Sequence, residues 1–265
     1  PDGIPTPALL SRASLSLINV SKIIVNAGAR VAPKISFVDL HGEPGRDIRK
    51  GGVRREVAEN IITNATVLGE NLSEEVLVVG ESIPAGTTTA AAVLTGLGFN
   101  GVEIVSSSSP NNPKELKRKV AEEAVRSAPK DMTERIYWLA DPVILAVAGL
   151  AMGFRGQTIL AGGTQMAAVS AVIKELSPEK LNSVGIITTK WIVNDTSARL
   201  MELVKTLGVK LSHANLDLSL SQHEGLRVYE KGFVKEGVGA GGAMALAMAN
   251  GVTSENLVKK IDAFY

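Results

Sequence analysis

Three glycine-rich segments combine small residues with hydroxyl or carboxylate side chains, a composition suited to binding an anion. They read GESIPAGTTTAAAVL (residues 80–94), ILAGGTQMAAVSAV (159–172) and KEGVGAGGAMALAMA (235–249). Glycines let backbone N–H groups approach a ligand closely, and the start of a helix supplies unpaired N–H donors and a partial positive charge. The segments therefore predict a phosphate or ribose site. We assign to it Gly80, Gly86, Thr87, Thr88, Gly162, Gly163, Gly239 and Gly241.

A single turn of this kind is explained equally well by close packing of a helix on a strand, and it is the presence of three that favours an anion site. Residues Gly237–Gly242 match G-x-G-x-x-G, but the charged segment YEKGFVKE precedes them, where a dinucleotide-binding fold has a buried strand. Residues 80–88 lack the lysine of a P-loop. The pattern thus argues against both an NAD site and a P-loop NTPase.

Two carboxylates, Glu81 and Glu236, lie within the glycine turns and are the candidate catalytic groups. A carboxylate beside a bound sugar can act as a general base or stabilise a developing positive charge. A capping or surface role for either residue stays open, and Asp195 is expected to cap a helix. The chain has no cysteine, three histidines and no Asp-Asp pair before a TxxTG-like loop, so we predict neither a metal site nor a cofactor.

The elements that must position these residues follow from the hydrophobic pattern. Short β-branched runs alternate with helical stretches, as in βαβ units around a parallel sheet. We predict an α/β fold with a doubly wound, mainly parallel six-stranded sheet and helices on both faces, whose ligand site lies at the carboxyl edge of the strands. The predicted strands are Ile35–Leu40, Glu75–Gly80, Val102–Ser106, Thr158–Ala161, Val184–Thr188 and Val209–His213.

Helices are predicted between the strands and at both ends of the chain. We expect a Rossmann-like α/β domain over residues 28–235, and a small helical lobe from residues 1–27 and 236–265 that completes the site. The predicted helices are Pro7–Asn26, Arg54–Gly69, Thr87–Leu97, Pro113–Ser127, Pro142–Gly153, Thr164–Glu175, Asp195–Leu207, Gly239–Asn250 and Ser254–Phe264.

Charge and hydropathy exclude some classes of partner. Lys plus Arg number 28 and Asp plus Glu 27, a net charge of +1, which provides no electrostatic footprint for nucleic acid or an anionic membrane. The longest apolar run, Val143–Phe154, is too short to span a bilayer. The chain begins at Pro1 rather than Met, so we expect that a preceding segment is missing. A soluble, cytoplasmic protein is the expectation.

At its glycine turns the chain resembles the nicotinate-nucleotide:dimethylbenzimidazole phosphoribosyltransferase family, in particular its divergent archaeal-type branch. GESIPAGTTTAAAVL is similar to the family's GE-x-GIGNTT-x-AA turn, and EGVGAGGAMALA to its C-terminal GEGTGAALAL. ILAGGTQMAAVSAVI resembles its strand-to-helix segment with two glycines, and FVDLHGEPGRDIRKGG the segment with a VDAG strand end. The matches follow the same order over most of the chain.

The resemblance implies transfer of the 5-phosphoribosyl group of nicotinate mononucleotide to 5,6-dimethylbenzimidazole or a related base. The products would be nicotinate and α-ribazole 5′-phosphate, for the nucleotide loop of cobalamin. The family's general base, the Glu of GEGTGAA, falls on Glu236, and Glu81 would position the ribose or the attacking base. A homodimer is also implied.

Two departures from the family pattern leave an alternative open. IPAGTTT replaces GIGNTT, which removes the family's Asn, and the family's base-pocket motif near the N-terminus is not recognisable. Ser11 and Arg12 are the candidates for the base pocket in that region. The alternative is a nucleotide-binding or regulatory protein that kept the fold and the phosphate site but lost the base pocket.

Overall fold

The computed structural model describes residues 3–265 and contains a four-stranded parallel sheet and a separate two-stranded parallel pair. The strands are β1 (Val25–Asn26), β2 (Val38–Asp39), β3 (Val76–Gly80), β4 (Gln157–Ala161), β5 (Val184–Thr189) and β6 (Lys210–Ala214). The sheet has the order β3-β4-β5-β6, and β1 pairs with β2. The predicted α/β class, with a parallel sheet and helices on both faces, is confirmed, but the sheet has four strands rather than the six predicted.

Helices occupy every interval between consecutive strands except that between β1 and β2, and they also occupy both ends of the described chain. Short 3-10 helices cover Ile48–Lys50, Pro178–Ser183, Leu218–Leu220 and Val228–Lys231. The α-helices are α1 (Ala8–Leu15), α2 (Arg55–Glu70), α3 (Gly86–Gly96), α4 (Gly101–Ile104), α5 (Lys114–Ser127), α6 (Met132–Leu139), α7 (Pro142–Gly153), α8 (Thr164–Leu176), α9 (Lys190–Val193), α10 (Leu200–Leu207), α11 (Glu224–Arg227), α12 (Ala240–Ala249) and α13 (Ser254–Asp262).

The two faces of the four-stranded sheet are covered by different parts of the chain. Because the strands follow one another in chain order and are parallel, right-handed crossovers place their connecting helices on one face. That face carries the larger core, with residues of α2, α3, α7, α8 and α10. On the opposite face α12 crosses all four strands and packs against α1, which in turn contacts α13. Apolar burial on both faces fixes the sheet between two helical layers.

The register of the strands brings their carboxyl ends to one edge. Gly80 at the end of β3 pairs with Ala161 at the end of β4, and Ala161 pairs with Ile187 of β5. Thr189 pairs with Ala214 where β5 and β6 end. The glycine turns after β3 and β4 therefore start side by side, as expected for a ligand site in a parallel α/β sheet.

The predicted strand Val102–Ser106 is wrong. Residues 101–104 form the short helix α4, and the chain then continues without pairing to the sheet. A Cβ on Gly101 would lie 2.2 Å from the Ala91 carbonyl oxygen, so this glycine lets α4 pack directly against α3. A short buried apolar run does not distinguish a strand from a helix by periodicity alone. The place beside β3 in the sheet is taken by β4.

Two helix predictions also need correction, and helix α6 was missed. The helix predicted for Pro7–Asn26 ends at Leu15, and the β-branched Val25, near the predicted end, lies in β1 instead. The helix predicted to start at Asp195 starts at Leu200 instead. Helix α6 was not predicted, and Asp131 caps it by accepting a hydrogen bond from the Glu134 N–H at 3.0 Å.

The predicted division at residues 28–235 stays a prediction. The second core, on the α12 face, combines residues of α1, α12 and α13 with Trp191, Leu216, Leu226 and Tyr229, which precede residue 236. Within residues 3–265, no helix is long and apolar enough to cross a membrane.

Candidate active site

The three glycine turns predicted from the sequence meet at the carboxyl edge of the sheet. A Cβ on Gly80 would lie 2.9 Å from the Gly239 Cα, so the first and third turns touch through their backbones. A Cβ on Gly163 would lie 3.7 Å from the Glu236 Cβ, which brings the second turn beside the third. A Cβ on Gly86 would lie 2.6 Å from the Gln165 Nε2, at the start of α8. Residues far apart in the chain thus form one site.

Glu236 lies in a segment with unusual backbone angles. Val234, Lys235 and Val238 have φ values of 64°, 63° and 53°, and Gly237 and Gly239 have 148° and 66°. Left-handed φ values are unfavourable for residues with a side chain, and most of all for β-branched ones. Such residues cost about 1–3 kcal/mol each and persist only where the surroundings hold them, which is frequent at functional sites.

Neighbouring elements hold this segment by hydrogen bonds on both sides of Glu236. The Thr189 hydroxyl donates to the Lys235 carbonyl at 2.6 Å. The Val238 N–H donates to the Glu81 carbonyl at 2.8 Å, and the Ser11 hydroxyl donates to the Val238 carbonyl at 2.7 Å. The backbone on either side of Glu236 is therefore fixed by β5, by the first glycine turn and by α1.

The Glu236 carboxylate lies at the start of α12. Its Oε1 accepts from the Gly237 and Gly241 N–H groups, each at 3.1 Å, and its Oε2 accepts from the Thr188 hydroxyl at 3.2 Å. Burial of the carboxylate outweighs these hydrogen bonds and raises the pKa of Glu236 to about 7. Glu236 is thus divided between its neutral and charged forms near neutral pH.

Glu81 is the second acid of the site, and only 6% of its surface is exposed. Burial, followed by the charges of Asp141 and Glu236, raises the pKa of Glu81 to about 7, while a hydrogen bond from the Ile83 N–H acts in the opposite direction. The charge of Glu236 therefore favours the protonated form of Glu81. Both predicted catalytic residues lie at the carboxyl edge.

The turn that starts α3 leaves polar groups available. Ala85 precedes the helix with a left-handed φ of 58°, and no side chain caps the helix start. The Thr87 and Thr88 side chains are partly exposed, and neither hydroxyl has a hydrogen-bond partner within residues 3–265. Helix α3 has eleven residues, so its first N–H groups carry the partial positive charge of a helix start. This turn can bind an anion.

The turn that starts α8 has the same design. Gly163 precedes the helix without a side-chain cap. The Thr164 hydroxyl is buried and accepts from the Ser106 N–H at 3.2 Å, so it holds the preceding loop rather than a ligand. Gln165 extends beside Gly86 and has no side-chain hydrogen bond in the described chain. The starts of α3 and α8 are therefore adjacent.

The glycines that start α12 serve mainly to bring this helix onto the sheet. A Cβ on Gly241 would lie 2.2 Å from the Thr188 backbone carbon, and one on Gly242 would lie 2.3 Å from the Ala161 Cβ. The Gly241 N–H is already bonded to Glu236. A phosphate at Gly239 and Gly241 would have to displace that carboxylate, so their predicted phosphate role stays a prediction that this arrangement does not favour.

Lys235, the residue before Glu236, forms a buried ion pair with Asp195. Lys235 and Asp195 are only 3% and 6% exposed at their side chains, with Nζ and Oδ2 2.9 Å apart. The Lys235 ammonium also donates to the carbonyls of Ser107 and Ser109, at 2.8 and 3.2 Å. Burial alone would raise the pKa of Asp195, but hydrogen bonds, including that from Lys235, lower it. The prediction that Asp195 caps a helix is wrong: helix α10 begins only at Leu200, directly after Arg199, and Asp195 binds Lys235 instead.

The two base-pocket candidates near the N-terminus have different surroundings. Ser11 is buried and bonded to the Val238 carbonyl, so it contacts the loop of Glu236. The exposed Arg12 guanidinium lies over the Phe264 ring, 4.9 Å from its centroid. Ser11 thus reaches the site through the glycine loop, whereas Arg12 packs against the C-terminal residues. No observation tests a base-binding role for either residue.

Three residues of the site were not identified as such from the sequence. Asp141, which precedes the predicted helix Pro142–Gly153, is 3% exposed, and its charge raises the pKa of Glu81. Thr89 donates to the Asp141 carboxylate at 2.5 Å. Lys235, in the third glycine segment, forms the buried ion pair with Asp195. The Asp-Pro start of α7 was a signal for capping, but no sequence pattern could indicate which acid would be buried beside Glu81.

Solved structures of similar fold come from Thermus thermophilus. One is described as nicotinate-nucleotide-dimethylbenzimidazole phosphoribosyltransferase, with a TM-score of 0.63 and 16% identity, and the match covers 94% of this chain and 71% of that one. Another, described as CobT, has a TM-score of 0.58 and 16% identity over 89% of this chain and 68% of that one. At this identity the comparison establishes the fold alone.

Proteins related by sequence are more similar to this chain than these solved structures are. No family model matches the chain. A UPF0284 protein of Metallosphaera sedula is 94% identical over all 265 residues, which span 77% of that protein. UPF0284 proteins of Saccharolobus islandicus and Sulfurisphaera tokodaii are 56% and 52% identical, again over the whole chain and 77% of each relative. Since identity this high extends over the entire chain, the chain belongs to the UPF0284 family.

Proposed function

We propose that the protein is a phosphoribosyltransferase that moves the 5-phosphoribosyl group of nicotinate mononucleotide to 5,6-dimethylbenzimidazole or a related base. The observation that carries the proposal is that two acids, Glu81 and Glu236, lie in glycine turns that contact each other at the carboxyl edge, beside two uncapped helix starts. The similarity in fold to the Thermus phosphoribosyltransferase supports it. The products would be nicotinate and α-ribazole 5′-phosphate, for cobalamin biosynthesis.

The proposed reaction needs one displacement and one proton transfer. A ring nitrogen of the base donates its lone pair to the anomeric carbon, while the bond from that carbon to the nicotinate nitrogen breaks and its electron pair stays on the nicotinate ring. The other ring nitrogen of the base then loses its proton to Glu236. Attack on the face opposite the leaving group converts the β to the α configuration. Because the reaction is a single displacement, no covalent intermediate forms on Glu81 or Glu236.

The environment of Glu236 suits a general base. A base works best when its pKa is near the working pH, and burial raises the pKa of Glu236 to about 7. The charge of Glu236 in turn contributes to the raised pKa of Glu81. When one acid of the pair holds a proton, the other can be ionised. Glu81 as the protonated member could donate a hydrogen bond to the ribose or the incoming base while Glu236 accepts the proton.

We place the 5′-phosphate between the starts of α3 and α8. Both helices begin without side-chain caps, and a Cβ on Gly86 would be 2.6 Å from Gln165, so the two turns can contact one anion. The hydroxyls of Thr87 and Thr88 are available there. Helix starts stabilise anions through their free N–H groups and dipoles. This location leaves the start of α12 to Glu236.

The threonine hydroxyls give a first prediction. The double substitution Thr87→Val and Thr88→Val is expected to weaken binding of nicotinate mononucleotide by about tenfold or more, because a hydrogen bond to a charged group contributes about 1.5–3 kcal/mol. Isothermal titration calorimetry measures the dissociation constant. Thr206→Val, an exposed threonine on α10, is the matched control and should bind like the wild type. Equal affinity of the double variant and the wild type would reject this phosphate site.

The function itself is tested by a product assay. Purified protein is incubated with nicotinate mononucleotide and a panel of benzimidazoles and purines, and products are identified by mass spectrometry. Release of nicotinate together with an α-ribosyl monophosphate would establish the transferase and identify the base. Binding of the mononucleotide without product from any base would contradict the proposed reaction.

A non-catalytic nucleotide-binding protein is the second candidate. The observation in its favour is that Glu236 caps α12 through the Gly237 and Gly241 N–H groups, a structural role that requires no catalysis. In that case the mononucleotide would bind at the starts of α3 and α8, and Glu236 would affect stability only. The product assay and the Glu236 substitution considered in the Discussion separate the two candidates.

A further inference from the structure

We propose that Asp141 is a positioning residue, which holds the first turn of α3 through Thr89. The inference rests on the proposed function, in which the first turn of α3 binds the phosphate of the mononucleotide. Asp141 itself does not contact the substrate site through any bond described above. Its effects pass through the Thr89 hydroxyl and through the electrostatic field at Glu81.

The Asp141 carboxylate is enclosed and bonded on both oxygens. Its Oδ1 accepts from the Ile144 N–H at 2.9 Å, and its Oδ2 accepts from the Thr89 hydroxyl at 2.5 Å. Only 3% of the residue is exposed. A hydrogen bond to a charged, buried acceptor is among the stronger ones in proteins. Asp141 therefore links the start of α7 to the first turn of α3.

The first turn of α3 depends on such an external link. The turn has no side-chain cap, and Ala85 enters it with a left-handed backbone. The Thr89 hydroxyl, with a single hydrogen, lies 2.5 Å from Asp141 and 2.9 Å from the Gly86 carbonyl. Without Asp141 the hydroxyl would turn to the Gly86 carbonyl within its own helix. The position of the turn would then no longer be tied to α7.

A capping role alone does not require this burial. Asp131 caps α6 in the same way, by accepting from the Glu134 N–H at 3.0 Å, yet it is exposed. Burying a carboxylate carries a desolvation cost that an exposed cap avoids. Asp141 differs from Asp131 by its bond to Thr89 and by the effect of its charge on the pKa of the buried Glu81. These two differences are what the inference explains.

The charge of Asp141 acts on the glutamate pair. After burial, the charges of Asp141, at the start of α7, and of Glu236, in the glycine loop, raise the pKa of Glu81, while a hydrogen bond from the Ile83 N–H acts in the opposite direction. Burial raises the pKa of Asp141 as well, against the hydrogen bonds from Thr89 and from the Ile144 and Val143 N–H groups. A like charge nearby favours the protonated form of an acid. In its ionised form Asp141 therefore favours the protonated form of Glu81.

Two measurements test the inference. Calorimetry with nicotinate mononucleotide compares the wild type with Thr89→Val, Thr89→Ser and the control Asp131→Asn. We expect Thr89→Val to weaken binding about tenfold, because the turn loses its link to α7, and Thr89→Ser to restore it. Asp131→Asn should bind normally. Thr89→Val with wild-type affinity would overturn the positioning role.

The second measurement does not depend on the ligand or on turnover. Protein labelled with 13C at the glutamate carboxyl carbons is titrated by NMR, and Glu81 is assigned from the signal lost in Glu81→Gln. Asp141→Asn removes a like charge while its amide oxygen can still cap α7, so the Glu81 midpoint should move about one pH unit lower. An unmoved midpoint would overturn the electrostatic role.

The two measurements, calorimetry and the NMR titration, distinguish an error in the inference from an error in the proposed function. If the wild type does not bind nicotinate mononucleotide, the proposed function fails, while the Glu81 midpoint still tests Asp141. If the wild type binds and Thr89→Val binds equally well, the function stands and the positioning role fails. Should Thr89→Val fail to fold, Asp141→Asn in both measurements decides the inference.

Discussion

Replacing Glu236 by glutamine is expected to lower kcat by about 10²- to 10⁴-fold while leaving the affinity for nicotinate mononucleotide nearly unchanged. General base catalysis accounts for rate factors of this size. The glutamine amide is nearly isosteric, and its oxygen can still accept from the Gly237 and Gly241 N–H groups that bind Oε1. The start of α12 should thus keep its cap. Turnover is measured by mass spectrometry and binding by calorimetry.

Glu224→Gln is the matched control for this experiment. Glu224 is exposed and pairs with Arg227 and Lys231 at the surface, so its substitution should change neither turnover nor binding. Undiminished turnover in Glu236→Gln would remove Glu236 from the reaction and favour its role as a cap. Loss of folding in Glu236→Gln, seen as a lower unfolding midpoint, would likewise point to that structural role.

The pH dependence of the wild type gives a related expectation. The base form of Glu236 is required, and burial raises the pKa of Glu236 to about 7. The value of kcat/KM should therefore rise with pH up to about 7, rather than near the ordinary value for glutamate of about 4.3. Above that pH it should fall, because Glu81, whose pKa is also raised to about 7, loses the proton that it donates. A profile already flat from pH 5 upward would contradict a raised pKa. The residual activity of Glu236→Gln should lack this rise.

Replacing Lys235 by methionine is expected to destabilise the fold by about 3–5 kcal/mol, because it leaves the buried Asp195 charge without its partner. The Ser107 and Ser109 carbonyls also lose their donor. Methionine has a length similar to that of the lysine stem, so little cavity forms. Urea unfolding followed by circular dichroism measures the change. Lys231→Met, an exposed lysine in a surface pair, should cost far less.

A second substitution tests the cause of that loss. Lys235→Met combined with Asp195→Asn removes both charges, and the double variant should be more stable than Lys235→Met alone.

Acid should reduce the same effect. Hydrogen bonds lower the pKa of Asp195 in the folded state, so ionised Asp195 stabilises the fold above the ordinary pKa range of aspartate, and this stabilisation is lost as the pH falls through the folded-state pKa. The difference in unfolding free energy between the wild type and Lys235→Met should therefore become smaller in acid. A difference in unfolding free energy that stays constant would mean that packing, not charge, causes the loss.

The sequence indicated the scaffold better than the details of the site. Strands β3 to β6 were predicted nearly at their observed bounds, because β-branched runs between turn signals are typical of buried parallel strands. The apolar run at Val102 had the same composition but formed α4, since its partner is a helix and not a strand. Local pattern alone cannot choose between those partners.

The site residues that interrupt a glycine turn could be predicted from the sequence, but the pairs of residues that meet from distant positions could not. Glu81 and Glu236 stood out because each interrupts a glycine turn, and both lie at the carboxyl edge. Lys235 meets Asp195 forty positions away, and Thr89 meets Asp141 across 52. A single sequence contains no signal for contacts at such separations, so the buried ion pair and the third acid became visible only in the fold.

The direct contact between the first and third glycine turns has a consequence for how this site can diversify. Val238 bonds to the Glu81 carbonyl, and Gly80 lies against Gly239, so main chain sets the spacing of the two acidic residues. Other side chains at the carboxyl edge can then change without altering that spacing. For the proposed reaction, this means that substitutions which alter the choice of acceptor base need not disturb the geometry of proton transfer. Selectivity would then depend on side chains, and the spacing of the two acids on the main chain.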